Sequence, residues 1–133
     1  MKLKTRLIFL SLAVFLLFLA GCTQTLNQVV QEKTATLTLK YFDKDGTIIL
    51  DKKFEVEKGT NAFEAMKKNV EMDFEMYPFG AFVKSIAGVT PPKTHYLTLY
   101  VNGEKASEGI SSYTINEDIK IEWKTEQIEG AIV

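Results

Sequence analysis

The 133-residue chain carries 16 Lys and Arg against 17 Asp and Glu, with one histidine and one cysteine. The balance is uneven: Lys2, Lys4 and Arg6 stand alone before residue 22, and residues 22–133 keep 13 cations against 17 acids, a net charge of −4. An acidic domain of this size with no arginine after Arg6 argues against nucleic acid as a partner, and one Cys with one His leaves no set for a zinc site or a Cys–His nucleophile pair.

Lys2, Lys4 and Arg6 precede a thirteen-residue run, Leu7 to Leu19, that is apolar apart from Ser11. That is the length of the apolar region of a secretory signal, whereas a spanning helix needs about 20 residues. The run closes on Leu19-Ala20-Gly21-Cys22, which resembles the lipobox of bacterial and archaeal lipoproteins. The resemblance implies a lipoprotein signal peptide over residues 1–21 and a diacylglyceryl group on Cys22. It places the protein at the cell membrane, lipid-anchored on the extracytoplasmic face. As the sole cysteine, Cys22 leaves no disulfide to form within the chain. Residues 22–33 are polar and read as a lipidated tether. Eleven flexible residues from Thr23 to Lys33 span roughly 18 Å.

From Thr34 the pattern becomes that of a folded domain, residues 34–126. Ala35, Leu37, Leu39 and Tyr41 alternate with polar residues, a period of two that predicts a half-buried strand. Asp43-Lys44-Asp45-Gly46 is a turn, and Ile48, Leu50, Phe54 and Val56 are the expected inward set of a second strand. Asn61 can cap a short helix, with Glu64 placed to reach back to the cap and Phe63, Met66 and Val70 at helical spacing. Met72 to Tyr77 alternates again, Pro78-Phe79-Gly80 turns the chain, and Ala81 to Ile86 is another short strand. Ala87 to Pro92 reads as a loop at an edge or rim, because two prolines cannot feed a central ladder. Tyr96 to Val101 is the strongest strand, ended by the hairpin turn Asn102-Gly103. Ile119, Ile121 and Trp123 form one face of a last strand, and residues 127–133 read as a tail. The expected fold class is α+β, a β-grasp-like mixed sheet crossed by one helix.

Phe79-Gly80-Ala81-Phe82-Val83-Lys84-Ser85-Ile86-Ala87-Gly88-Val89, the run Tyr96 to Glu104 with Val101-Asn102-Gly103-Glu104, Gly109-Ile110-Ser111-Ser112-Tyr113 and Ile121-Glu122-Trp123 resemble the transcobalamin-like C-terminal domain family. The resemblance covers about residues 34 to 126. It implies the small β-domain that, in animal cobalamin carriers, closes over a vitamin held on a larger helical domain. Many prokaryotic relatives carry the module on a lipoprotein or cell-wall anchor. The chain departs from the family at His95-Tyr96, where an aromatic residue, often Trp, is usual, and at Glu117-Asp118, where Gly-Asp is usual.

Tyr77, Phe79, Phe82, His95 and Tyr96 fall near Gly and Pro loops and are the candidate ligand-binding residues. An exposed apolar patch of this kind marks an interaction surface, although Phe79 and Phe82 could also complete the core. Trp123 reads as core. The acids Glu71, Asp73 and Glu75 read as a solvated face, so no metal is assigned and no cofactor is expected. No nucleophile elbow, zinc helix or phosphate loop is present, and an enzyme is not expected. The expected function is a membrane-anchored, non-catalytic binding module with a cobalamin-type corrinoid as candidate ligand. The alternative is a surface protein–protein interaction domain with no small-molecule ligand.

Overall fold

The structure, a computed structural model, describes residues 33–131; the signal peptide, Cys22 and nearly all of the tether lie outside the described residues. Strand β1 (Thr34–Phe42) buries Ala35, Leu37, Leu39 and Tyr41, as its alternation predicts. It pairs antiparallel with β2 (Ile48–Glu57) through a turn in which the Asp43 carboxylate accepts the Asp45 and Thr47 N–H groups at 2.9 and 2.8 Å. Gly46 supplies the positive φ, 78°, that this turn needs. On its other side β1 runs parallel to β9 (Ile119–Gln127), which pairs antiparallel with β6 (His95–Val101). The two-residue strand β7 (Glu104–Lys105) completes the order β2-β1-β9-β6-β7. An opening hairpin with the first strand parallel to the last is the β-grasp arrangement.

Helix α1 (Ala62–Asn69) buries Ala62, Phe63, Ala65 and Met66, covering one face of this sheet. The Trp123 indole N–H points at the Met66 sulfur, 3.4 Å away, tying helix to central strand. Leu37, Leu39, Tyr41, Met66, Ile110, Ile115 and Ile121 are fully buried, and each contributes about 1.5–3 kcal/mol. Asn61 caps the helix by accepting from Phe63 N–H at 3.0 Å and, more distantly, Glu64 N–H at 3.4 Å. The short strands β3 (Thr60–Asn61) and β8 (Thr114–Ile115) pair in front of it. The buried apolar core lies wholly within residues 35–123, so the described segment carries its own core.

The structure corrects the expectations for Ile48, Glu64 and the end of the last strand, and adds detail at Ala87-Gly88 and Glu117. Ile48 is 51 % exposed rather than inward, because a bulge at Tyr41/Phe42 shifts the register before β2 settles. Glu64 pairs with Lys67 at 2.8 Å and makes no hydrogen bond back to the cap. Ala87-Gly88 is a tight turn, with φ of 52° and 75° and two hydrogen bonds between Ile86 and Val89 of 3.2 and 3.0 Å. The last strand continues past Trp123 to Gln127, and Thr125 is buried against the Tyr41 hydroxyl at 3.1 Å. Glu117 needs no glycine: Ala87 and Asn102 are the only non-glycine residues at positive φ among those described. The adjacent Asp118 accepts the Thr36 N–H at 2.7 Å.

Candidate functional site

Strands β4 (Met72–Tyr77) and β5 (Gly80–Ile86) form a separate two-stranded hairpin beside the main sheet. One side of it faces the core. There Ala81 and Val83 are buried, and Phe74 meets Phe63 edge-on at 4.9 Å. The pairing Glu75 opposite Phe82 and Tyr77 opposite Gly80 gathers Glu75, Tyr77 and Phe82 on the other side. The hairpin is pinned at its turn. Ser111, in a 3-10 turn at Ile110–Ser112, takes the Ala81 N–H on its hydroxyl at 3.0 Å and the Asn61 amide on its carbonyl at 2.8 Å. A Cβ on Gly80 would sit 3.1 Å from the Ser111 Cβ, on a backbone with φ of 122°. Glycine is therefore required there.

Phe79 is 74 % exposed and Phe82 53 %, so neither completes the core. The Phe79 ring stacks on Tyr77 at 5.1 Å, and Phe82 meets Tyr77 edge-on at 6.4 Å. These three candidates stand together. The other two separate. Tyr96 and His95 are neighbours on β6 and so point to opposite faces. The His95 Nδ1 lies 2.9 Å from the Thr94 hydroxyl, opposite Gln127, away from the aromatic group.

Tyr96 and Phe82 instead share a groove of about 260 Å³ between β5 and β6, with Leu97, Leu99 and Trp123 also lining it and Lys105 at its rim. The groove exists because β7 pairs only with Tyr100 and Val101, leaving the N-terminal half of the β6 edge uncovered. Beside it Glu126 accepts from the Tyr100 hydroxyl at 2.6 Å, the Lys105 ammonium at 3.2 Å and the Tyr96 hydroxyl at 3.4 Å. Partial burial pulls the Glu126 carboxyl upward, but hydrogen bonds led by that from Tyr100 outweigh it and hold the group below its usual range. The same bond raises Tyr100, and the Glu126 carboxylate raises Lys105. Lys124 lies over the Tyr100 ring at 4.1 Å.

Sequence reasoning missed Glu126 and Lys105; the only signal was the two-residue spacing of Tyr96, Thr98 and Tyr100, which puts polar groups on one sheet face. It also missed a groove of about 610 Å³ between the free edge of β2 and α1, lined by Glu55, Glu57, Glu64, Lys67 and Lys68. That groove depends on where the helix lies across the sheet, which no local pattern encodes. Among the described residues no three His, Cys, Asp or Glu side chains are grouped as a metal would need. Asp73 pairs with Lys84 at 3.5 Å.

Residues 59–127, just over half of the chain, match the family described as "Domain of unknown function (DUF4430)". The chain belongs to the DUF4430 family. No curated protein matches it in sequence. Among solved structures, this DUF4430 chain is similar to a candidate metal-binding protein from Ruminococcus gnavus ATCC 29149. That match has a TM-score of 0.58 and 16 % identity, over 71 % of this chain and 98 % of that one. It is also similar to haptocorrin in complex with Cbi, with a TM-score of 0.54 and 19 % identity, over 70 % of this chain. The DUF4430 chain corresponds to only 25 % of haptocorrin. At these identities the likenesses establish a shared fold, in agreement with the transcobalamin-like resemblance at that level.

Proposed function

We propose that this protein is a non-catalytic binding module, held by a lipid on Cys22 at the extracytoplasmic face of the cell membrane, that captures a cobalamin-type corrinoid. The observation that carries the reading is the groove between β5 and β6, flanked by Phe82 and Tyr96, on a fold shared with haptocorrin in complex with Cbi. A corrinoid is a flat macrocycle edged with amides. The rings of Phe82 and Tyr96 supply apolar contact, and Lys105 and Glu126 supply a donor and an acceptor for the amide rim. A groove of about 260 Å³ holds such a ligand by one edge, so the ligand is held shallowly and passed on.

The test is titration of residues 33–133, which contain the whole core, with cobinamide and cobalamin, read by calorimetry and visible absorbance. Saturable binding at micromolar or tighter, about −8 kcal/mol, weakened at least tenfold by Tyr96→Ala or Phe82→Ala, is the expected result. A flat trace with both ligands sinks corrinoid capture and leaves the protein–protein adaptor. The anchor is tested apart: mass spectrometry of the full chain shows Cys22 diacylated, and Cys22→Ser releases the protein from membranes.

A further inference from the structure

Strand β2 ends the main sheet, and among the described residues no strand pairs with its outer side. The Lys58 N–H reaches the Lys33 carbonyl at 2.9 Å, which fixes the phase of the ladder with β1. Even-numbered residues of β2 bond to β1, and odd-numbered ones turn their backbone groups outward. Asp51, Lys53, Glu55 and Glu57 therefore line the edge with N–H and C=O groups that no strand takes up. The register is regular from Leu50 to Glu57, with neither proline nor bulge to blunt it. An edge of this length is a template for another strand.

Charge selects what can pair there. The edge reads Asp51-Lys52-Lys53-Phe54-Glu55-Val56-Glu57. When two copies of this strand pair antiparallel, outward residues must meet outward residues, so the two-fold axis falls on a residue that faces itself. An axis at Asp51, Lys52, Lys53, Glu55 or Glu57 sets a charge against its own kind, and an axis at Val56 sets Glu55 against Glu57. Phe54 is the position that escapes. With the axis there, Phe54 meets Phe54 in a close, non-hydrogen-bonded pair, and Lys53 of each copy lies opposite Glu55 of the other. Lys52 comes opposite Val56, which with Glu64 lines the groove between β2 and α1. One kind of like-charge pair remains, Asp51 opposite Glu57, and Lys40 already neutralises Asp51 at 3.0 Å. The charges that forbid the neighbouring registers are those that favour this one.

We propose that a second copy of this chain pairs with the β2 edge, antiparallel across a two-fold axis at Phe54. The two five-stranded sheets then join into one of ten strands. The inference goes beyond the corrinoid reading and does not depend on it. Strands β1 and β9 separate β2 from β6, so the groove between β5 and β6 stays open in both copies. Phe54 is half-buried against the core, whereas Lys53 and Glu55 are exposed. Changing those two charges therefore touches the contact and not the fold.

The experiment is sedimentation velocity on residues 33–133, which contain the whole core, at concentrations rising through the micromolar range. The expected result is a monomer–dimer equilibrium. Lys53→Glu and Glu55→Lys each set like charges opposite one another twice and weaken the dimer about tenfold. The double variant Lys53→Glu/Glu55→Lys restores both pairs and recovers it. Oxidation reads the register separately, since this segment holds no cysteine of its own. Phe54→Cys faces itself across the axis and forms a disulfide-linked dimer, whereas Lys52→Cys, opposite Val56, does not. A monomer at every concentration overturns the proposal. So does a dimer that the single charge reversals leave unchanged, or one that the double variant fails to recover.

Discussion

Tyr100 donates its hydroxyl hydrogen to Glu126 across the open face of the β6–β9 pair at 2.6 Å, the shortest bond of a cluster that also takes in Lys105. Glu126→Gln is expected to cost about 1 kcal/mol at pH 7, since the bond is charge-assisted but only partly buried. The native carboxyl titrates below its ordinary value of 4.5, so the unfolded chain takes up the proton first. The stabilisation is complete above that ordinary value and disappears as pH falls through the lower native one. Urea unfolding of both proteins at pH 7 and pH 3 checks this; an equal penalty at the two pH values contradicts it.

The indole of Trp123 has the Met66 sulfur as its partner at 3.4 Å in the core. Met66→Leu keeps the volume but removes the acceptor, and is expected to cost about 1 kcal/mol. Met66→Ala also leaves a cavity and is expected to cost roughly 2–5 kcal/mol. A Met66→Leu variant as stable as the native protein would show that the sulfur contact carries nothing.

Ala87 occupies the left-handed region at φ 52°, where a Cβ costs about 1–2 kcal/mol. Glycine relieves the clash but gives back part of the gain in chain entropy. Ala87→Gly is expected to stabilise by about 0.5 kcal/mol and Ala87→Asn by at least as much. Thermal unfolding of the two variants decides it, and a lower Tm for both counts against the strain.

Asn61 accepts at the start of the helix and donates to Ser111, joining α1 to the turn that pins the hairpin. Asn61→Asp keeps the cap and loses the donor; Asn61→Ala loses both. The expected order of stability is Asn, then Asp, then Ala, with Ala down by about 2 kcal/mol.

Much of this fold is legible in the sequence. The strict alternation of Ala35, Leu37, Leu39 and Tyr41 matches their burial residue for residue, and Asn102-Gly103 marks its turn by composition alone. Ile48 escapes the pattern because a bulge lies between it and Leu50, so Ile48 alone turns outward while Leu50, Phe54 and Val56 keep the inward face. Ala87 escapes because alanine is a poor signal for a turn that needs positive φ. The exposure of Phe79 and Phe82 was open for a different reason. Alternation says that a strand has two sides, not which side the rest of the molecule covers. Of the five candidate residues, Tyr77, Phe79 and Phe82 stand together because they flank one short turn. The meeting of Phe82 with Tyr96 comes only from the packing of β5 beside β6.

The parallel pairing of β1 with β9 sets Leu37 beside Ile119 and Tyr41 beside Trp123. A chain made from its N-terminus cannot complete this sheet until β9 has emerged, about 80 residues after β1. The contact joins the first and last strands of the domain, and closing so long a loop is slow. Until then the first hairpin lacks its central neighbour and stays only marginally stable. For a polypeptide proposed to be threaded through a membrane before it works outside, that order of events is an advantage. The segment in transit has no finished structure to undo, and the domain locks only after translation has delivered its final strand.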